Sequence, residues 1–225
     1  IGDVRDYERI HSITKDMDIV FHAAALKQVP SVEAHPYEAV KTNILGAFNV
    51  VTAAVAQKVK NVIAISTDKA VKPVNAMGMT KALQEKLILS DEITKDKTKF
   101  CCVRYGNVLG SRGSVIPFFQ KKAITGILPI TNKHMTRFNI TLQNGVDFVL
   151  QCLDKMWGGE LFVPKIPSYK ILDVAKAIAP DCKYEIVGIR PGEKLHEEMI
   201  TETDALNSVE FEKYFVILPS TKLWN

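Results

Sequence analysis

Short, uninterrupted apolar runs that alternate with helical patterns constrain this chain more than any other feature. Asp18 to Ala23, Val62 to Ser66 and Phe100 to Tyr105 are runs of this kind. A strand with one wet face alternates apolar and polar residues, whereas a strand covered on both faces does not. Between the runs lie helical patterns at Ser31 to about Asn43, Gly46 to Gln57 and Ala76 to about Leu89. This alternation predicts an α/β fold with a doubly wound parallel sheet.

After Gly110 the texture changes. Gly and Pro interrupt the chain more often, and shorter strands (Pro129 to Thr131, Glu160 to Val163, Tyr184 to Val187) mix with helices. Thr141 reads as the N-cap of a helix reaching Leu153, and Ser168 as the cap of another ending before Pro180. Residues 1–110 are therefore read as an incomplete dinucleotide-binding core of Rossmann type. Residues 111–225 are read mainly as a smaller α/β substrate-binding lobe, with some return to the core near 140–165. A dinucleotide fold opens with a strand, a glycine-rich turn and a helix whose N-terminus holds the pyrophosphate. No such cluster stands near the start, since Gly110, Gly113 and Gly158–Gly159 have other contexts. The first strands and the phosphate loop are expected upstream of Ile1.

Composition excludes several classes. Net charge is +4, from 29 basic and 25 acidic residues, and the lysines are dispersed, so no nucleic-acid partner is expected. No uninterrupted apolar run reaches the ~18 residues of a membrane span, and no signal peptide is visible. The four cysteines have no metal-ligand spacing and Cys101 and Cys102 cannot pair, which predicts reduced thiols, no metal and a cytoplasmic location.

The chemistry is concentrated between Ser66 and Lys81. Asp68 and Lys69 follow the end of the Val62–Ser66 strand, where open α/β sheets place ligands. A carboxyl group beside an amine, with Lys81 one helical turn after Met77, is equipment for proton transfer next to a cofactor.

Short motifs then carry a resemblance. They are Gly2-Asp3-Val4-Arg5-Asp6, Ala23-Ala24-Ala25-Leu26-Lys27-Gln28-Val29-Pro30, Lys41-Thr42-Asn43 and Ser66-Thr67-Asp68-Lys69, followed by Arg104-Tyr105-Gly106-Asn107-Val108, Ser111-Arg112-Gly113-Ser114-Val115, Met135-Thr136-Arg137-Phe138 and Arg190-Pro191-Gly192-Glu193-Lys194. In this order they resemble the inverting, 5-epimerising UDP-N-acetylglucosamine 4,6-dehydratases of the extended short-chain dehydrogenase/reductase superfamily. The resemblance runs from Gly2 to about Pro219.

The resemblance implies NADP as cofactor and UDP-N-acetylglucosamine as substrate. It implies a 4-keto-6-deoxy product for surface glycan or flagellin glycosylation, of the pseudaminic acid type, and a homo-oligomer (dimer or hexamer). Asp68 is then the acid at the C6 hydroxyl, Lys69 the C5 base, Thr67 a partner of the C4 hydroxyl and Lys81 a contact of the nicotinamide ribose. Retaining relatives carry glutamate where Lys69 stands. Met77 occupies the position of the superfamily's catalytic tyrosine, and a thioether cannot take a proton. Cofactor contacts carried over are Asp3, Val4, Ala23, Lys27, Lys41, Thr42, Met77 and Lys81. Substrate contacts are Lys27, Asn107, the run Val115-Ile116-Pro117-Phe118-Phe119 around the uridine, Arg137 and Arg190 at the diphosphate, and Glu193 at a ribose. Phe118 and Phe119 are expected to be partly core, His22 a satisfied core histidine, and Glu197-Glu198 a solvated helical face. A UDP-sugar 4-epimerase is the alternative enzyme, although it has no use for an Asp-Lys pair. An inactive nucleotide-sugar-binding fragment is the non-enzymatic alternative.

Overall fold

A computed structural model describes residues 1–90, 93, 97–219 and 221. Along the chain run α1 (Tyr7–Ile13), β1 (Ile19–His22), α2 (Val29–Ala34), α3 (Pro36–Ala39), a π-helical stretch (Val40–Leu45), α4 (Gly46–Ala56), β2 (Asn61–Thr67), a 3₁₀ turn (Asp68–Ala70) and α5 (Ala76–Ile88). Then follow β3 (Lys99–Tyr105), β4 (Asn107–Val108), α6 (Val115–Ala123), β5 (Ile127–Ile130), β6 (Thr136–Ile140) and α7 (Leu142–Lys155). The remainder comprises β7 (Glu160–Pro164), β8 (Ser168–Lys170), α8 (Ile171–Ile178), β9 (Lys183–Ile186), α9 (Glu202–Ala205), β10 (Ser208–Glu210) and β11 (Tyr214–Ile217).

The main sheet has the order β1-β2-β3-β7-β11-β10. Its first four strands are parallel, β11 pairs antiparallel with β7, and β10 pairs antiparallel with β11. Successive residues of the central strands serve different cores. Val62, Ala64, Phe100, Cys102, Leu161 and Val163 pack on one face with Ala47, Val51 and Ala54 of α4. Ile63, Cys101, Val103 and Phe162 pack on the other with Phe148, Val149 and Cys152 of α7. That two-sided burial is why the strands read as unbroken apolar runs. It also turns the adjacent thiols of Cys101 and Cys102 to opposite faces.

Two small sheets build the second part, β4-β6-β8 and β5-β9. Their core joins Phe119 of α6 to Leu128, Ile130, Met135, Ile171 and Ala175. Residues 160–164 and 208–217 meanwhile run in the main sheet.

Two local expectations are corrected. Ser168 caps no helix; it opens β8, paired with Phe138, and α8 starts only at Ile171. Ladder bonds to β6 hold Ser168 extended where its capping tendency pointed to a helix start. The helix expected over Ser31 to Asn43 is broken at His35, whose φ of −135° precedes Pro36, as the proline ring disfavours helical backbone before it. Helix resumes through the π-helical stretch into α4, and Pro36–Ala56 is long and apolar enough, by length and composition, to cross a membrane. Here its inward residues Ala47, Val50, Val51 and Ala54 are buried in the protein.

A buried ion pair ties the C-terminal segment to the sheet. Arg104 of β3 donates through Nε and Nη2 to the two carboxylate oxygens of Glu85 at 3.1 and 2.7 Å, and through Nη1 to the Met199 carbonyl at 2.8 Å. Ser66 also donates to Glu85. Breaking one side of such a pair strands the other charge, whereas apolar replacement of both does not. Arg104→Met is expected to lower unfolding free energy by about 3–5 kcal/mol in a denaturant titration, and Glu85→Leu added to it to recover part of that loss.

Candidate functional site

The parallel strands β1, β2 and β3 end at one edge, and the site is built there. Thr67 closes β2 extended, and its Oγ1 donates to Asp68 Oδ1 at 3.0 Å. Asp68 is wholly buried, and Lys69 Nζ lies 2.9 Å from its Oδ1. Asp68 Oδ2 has no hydrogen-bond partner among the described residues. Lys69, 22% exposed in its side chain, also donates to Asn107 Oδ1 at 3.0 Å. The sequence-predicted Thr67, Asp68, Lys69 and Asn107 therefore form one connected group.

Helix α5 packs unusually close behind this turn. Asn75 caps it by accepting from Gly78 N at 2.7 Å. A Cβ at Gly78 would stand 2.3 Å from the Lys69 carbonyl oxygen, so only glycine permits the approach. Met77 is 4% exposed and packs with Val32 and Ala39. The expectation of a catalytic or cofactor role for Met77 is corrected: it is an apolar core residue, and its thioether has no proton chemistry to contribute. Lys81, one turn on, donates from Nζ to the Ile65 carbonyl at 2.7 Å and to Gln84 Oε1. Burial outweighs the favourable charge of its neighbours and lowers its pKa to about 8.

His22, at the end of β1, is buried with Nε2 unpartnered among the described residues, so it is a core histidine but not a satisfied one. Burial, then the Lys81 charge, lowers its pKa to about 4. Asn43, in the π-helical stretch, is fully buried; it accepts from Leu26 N at 2.8 Å and donates to the Leu26 carbonyl and to Thr80 Oγ1, each at 3.0 Å. It anchors the loop that carries Ala23 and Lys27. Sequence reading passed over Asn43 as a site element, though its place beside Lys41-Thr42 is a signal.

The remaining predicted cofactor residues are spread along this edge. Asp3 is exposed and paired with Arg5 at 2.7 Å, which lowers its pKa to about 2. Val4 packs against the cluster of Ile10, Val50 and Ala53. Ala23 is exposed, Thr42 is partly buried, and Lys41 forms an ion pair with Glu38. Lys27 Nζ donates to the Arg112 carbonyl at 3.2 Å, linking the two parts of the chain.

On the lobe side, Asn107, Val115 and Ile116 line a small open cleft with Ser114, Asn139 and Tyr169. Ser114 Oγ and Asn139 Oδ1 are buried there without partners among the described residues. Tyr169, also bonded to Asn107, has a raised pKa because of burial. Asn139 and Tyr169 have no mark in their local sequence, whereas Ser114 lies in the Ser111–Val115 motif but was given no site role. Pro117 is partly buried and Phe118 exposed, whereas Phe119 is 2% exposed inside the lobe core. Phe119 as a substrate contact is therefore corrected: helical spacing turns it inward.

Arg137 is buried, and its guanidinium donates to the carbonyls of Thr136, Lys194 and Leu195 at 2.7, 3.1 and 3.3 Å. Arg190 and Glu193 pair with each other. Burial pushes the Glu193 carboxyl up, and the hydrogen bonds and charge of Arg190 outweigh it to leave a lowered pKa. The segment 190–198 forms a strap across the turn that follows β2: Asn75 Nδ2 donates to the Gly192 carbonyl at 2.7 Å, Lys194 to the Val71 carbonyl, and Lys72 pairs with Glu198 at 2.7 Å. Glu197 is not a solvated face; it is buried, 4.0 Å from Lys69 Nζ and 3.2 Å from Lys194 Nζ. Lys194, three residues before it, and the distant Lys69 face it, and only the second of these is invisible in local sequence.

His22 also generates a pH dependence. Its folded-state pKa of about 4 lies below the usual 6.5, so on acidification the unfolded chain binds this proton first. The stability involved is complete above about pH 6.5 and is lost as pH falls toward 4. Between these values His22 is expected to account for about 3 kcal/mol, and denaturant titrations of His22→Gln across this window should lack that part of the slope.

Comparison with known proteins adds to this geometry. The polysaccharide biosynthesis protein family matches residues 1–219. The chain is 53% identical over 99% of its length to a UDP-N-acetylglucosamine 4,6-dehydratase (inverting) of Campylobacter jejuni, of which it spans 68%. It is 46% identical over 96% of its length to a UDP-glucose 4-epimerase of Rickettsia bellii, of which it spans 66%. The crystal structure of Pen from Bacillus thuringiensis superimposes with a TM-score of 0.93 at 39% identity, covering 98% of this chain and 72% of that one.

Proposed function

We propose, from the premise that this chain belongs to the polysaccharide biosynthesis protein family, that it carries the catalytic centre of an inverting UDP-N-acetylglucosamine 4,6-dehydratase. The observation that carries this reading is the Asp68–Lys69 pair, bridged at 2.9 Å and joined to Asn107 at the end of β2. The identity of 53% to the Campylobacter jejuni dehydratase supports it.

A nicotinamide dinucleotide suits the edge next to this pair. Lys81 has two acceptors among the described residues, Ile65 O and Gln84 Oε1, and a third N–H to offer a ribose hydroxyl. Ala23, small and exposed at the end of β1, leaves room beside it. With Asp3, Val4, Lys27, Lys41 and Thr42, these residues would hold NADP. When bound, that group supplies the redox chemistry: oxidation at sugar C4 and its reversal at C6.

The chain's own groups manage protons. Oxidation at C4 makes the C5 proton acidic, and the Lys69 amine removes it while the electron pair moves toward the C4 oxygen. Asp68 gives a proton to the C6 hydroxyl, which leaves as water as the C6–O bond breaks. Returning a proton to C5 on the opposite face gives inversion. The C4 hydroxyl proton would pass through Thr67 Oγ1 to Asp68 Oδ1, its acceptor at 3.0 Å, which gives Asp68 the proton it later delivers to the C6 hydroxyl, so the thioether of Met77 has no part in the chemistry. The cleft with unpartnered Ser114 and Asn139, lined by Val115 and Ile116, accepts the nucleotide end of the substrate. Arg137, Arg190 and Glu193 are proposed near the diphosphate and ribose, with Pro117 and Phe118 at the cleft's rim. Residues 1–110 thus serve the cofactor and 111–225 mainly the sugar nucleotide, in a cytoplasmic homo-oligomer. The Rickettsia bellii relative supports a second reading, a UDP-sugar 4-epimerase.

The test is to incubate the native protein with UDP-N-acetylglucosamine and NADP in deuterated water and follow products by NMR. A 4-keto-6-deoxy sugar carrying deuterium at an inverted C5 is expected, with Asp68→Asn and Lys69→Ala each lowering kcat by about 10²–10⁴-fold. UDP-N-acetylgalactosamine as sole product would establish the epimerase reading instead. Binding of both ligands without turnover would leave only a binding module.

A further inference from the structure

We infer that Tyr169 is a further catalytic residue: its phenol returns the proton to C5 from the face opposite Lys69. The inference rests on the reading of Lys69 as the C5 base and deepens it.

Inversion at one carbon calls for a base on one face and an acid on the other. Asp68 belongs to the same turn as Lys69 and serves the C6 hydroxyl, so the acid must come from another element. The small sheet supplies it. Asn107 of β4 pairs with Asn139 of β6, and Arg137 of β6 with Tyr169 of β8. Residues opposite each other in a sheet share a face, as do residues two apart in a strand. Asn107, Asn139, Arg137 and Tyr169 therefore line one surface. Asn107 joins the two parts of the chain there: its Oδ1 accepts from Lys69 Nζ at 3.0 Å, and its side chain bonds the Tyr169 phenol. Amine and phenol thus meet at one amide, the first carried by the end of β2 and the second by the lobe.

The neighbouring groups have other commitments. Tyr169 is the sole ionisable side chain among the described residues that line the small cleft. The Tyr105 ring packs against the cores on both faces of the main sheet. Arg137 is held by three backbone carbonyls. The Tyr169 ring packs against the lobe core of Phe119, Met135 and Ile171, which restrains the direction of its O–H. Burial outweighs the Arg137 charge and the Asn107 bond and raises its pKa, so the phenol keeps its proton at neutral pH and has one to give.

The protons balance. The C5–H bond breaks toward the Lys69 amine, and the C6–O bond breaks as Asp68 gives up its proton. Once C6 has been reduced, the electron pair of the C4–C5 enolate takes the Tyr169 proton at C5, leaving a phenolate. Solvent returns a proton to the phenolate and receives one from the Lys69 ammonium group.

The test places the native protein in deuterated water with UDP-4-keto-6-deoxy sugars of each C5 configuration. NMR follows exchange of the C5 hydrogen above the rate without protein. In the inverted sugar this hydrogen faces Tyr169, and in its epimer it faces Lys69. Wild type is expected to exchange both. Tyr169→Phe should exchange the inverted sugar about 10²-fold more slowly and keep its exchange of the epimer, while Lys69→Ala shows the reverse. Retained exchange of one epimer also shows that each variant is folded. Equal slowing of both sugars in Tyr169→Phe, unchanged exchange of the inverted sugar, or no exchange by wild type overturns the inference. With UDP-N-acetylglucosamine and NADP, the inverted share of the keto sugar formed by Tyr169→Phe should fall about tenfold; an unchanged share also overturns it. A wild-type protein that forms no keto sugar from UDP-N-acetylglucosamine defeats the proposed function, whereas the exchange pattern still decides the role of Tyr169.

Discussion

Burial of β2 on both faces is the constraint on which the rest of this structure depends. With Ile63 committed to one core and Val62 and Ala64 to the other, the strand has no side-chain position along its length free for chemistry. A ligand can meet β2 only where it stops, at Thr67 and the turn after it. Because β1 and β3 run parallel to it, their ends arrive at the same edge, with His22 near Lys81 and Asn107 beside Lys69. The packing requirement and the location of the site are one fact.

Charge enters the interior in two ways. Glu85 and Arg104 sit under the edge as a bidentate pair. Asp68 and Glu197 are each faced by a lysine. Arg137, Glu160 and Lys81 are instead held by neutral groups, and the pKa of Lys81 drops to about 8. An amine held so by Ile65 and Gln84 sits less comfortably as a cation than a surface lysine does, a property suited to a residue beside reacting groups.

What could be read from the sequence was what depends on near neighbours. The β2–turn–α5 unit was legible because an apolar run, Asp68-Lys69 and the Asn75 cap follow one another within about twenty positions. The Thr141 cap was legible for the same reason. Ser168 was misread because β6, not its own neighbours, decides its conformation. Glu197 looks like a solvated face in sequence because the turn that buries it, with Lys69, lies more than a hundred positions away. Phe119 and Met77 were assigned roles by motif position, while packing against Leu128 and Val32 decides what they do. Asn139 carries no local mark and Ser114 only its place in the Ser111–Val115 motif, and the meeting of the α6 start with β6 gives them a shared cleft.

The strap has a consequence for how the protein is made. Lys72 and Glu198 are 126 positions apart, and Asn75 and Gly192 are 117 apart. The turn bearing Asp68 and Lys69 is thus synthesised long before the segment that clamps it. At ribosomal rates of roughly 5–20 residues per second, the nascent chain spends several seconds with an unclamped turn. The clamped form of this turn is a late event in the life of each molecule, completed only when a distant stretch of chain emerges and closes over groups already made.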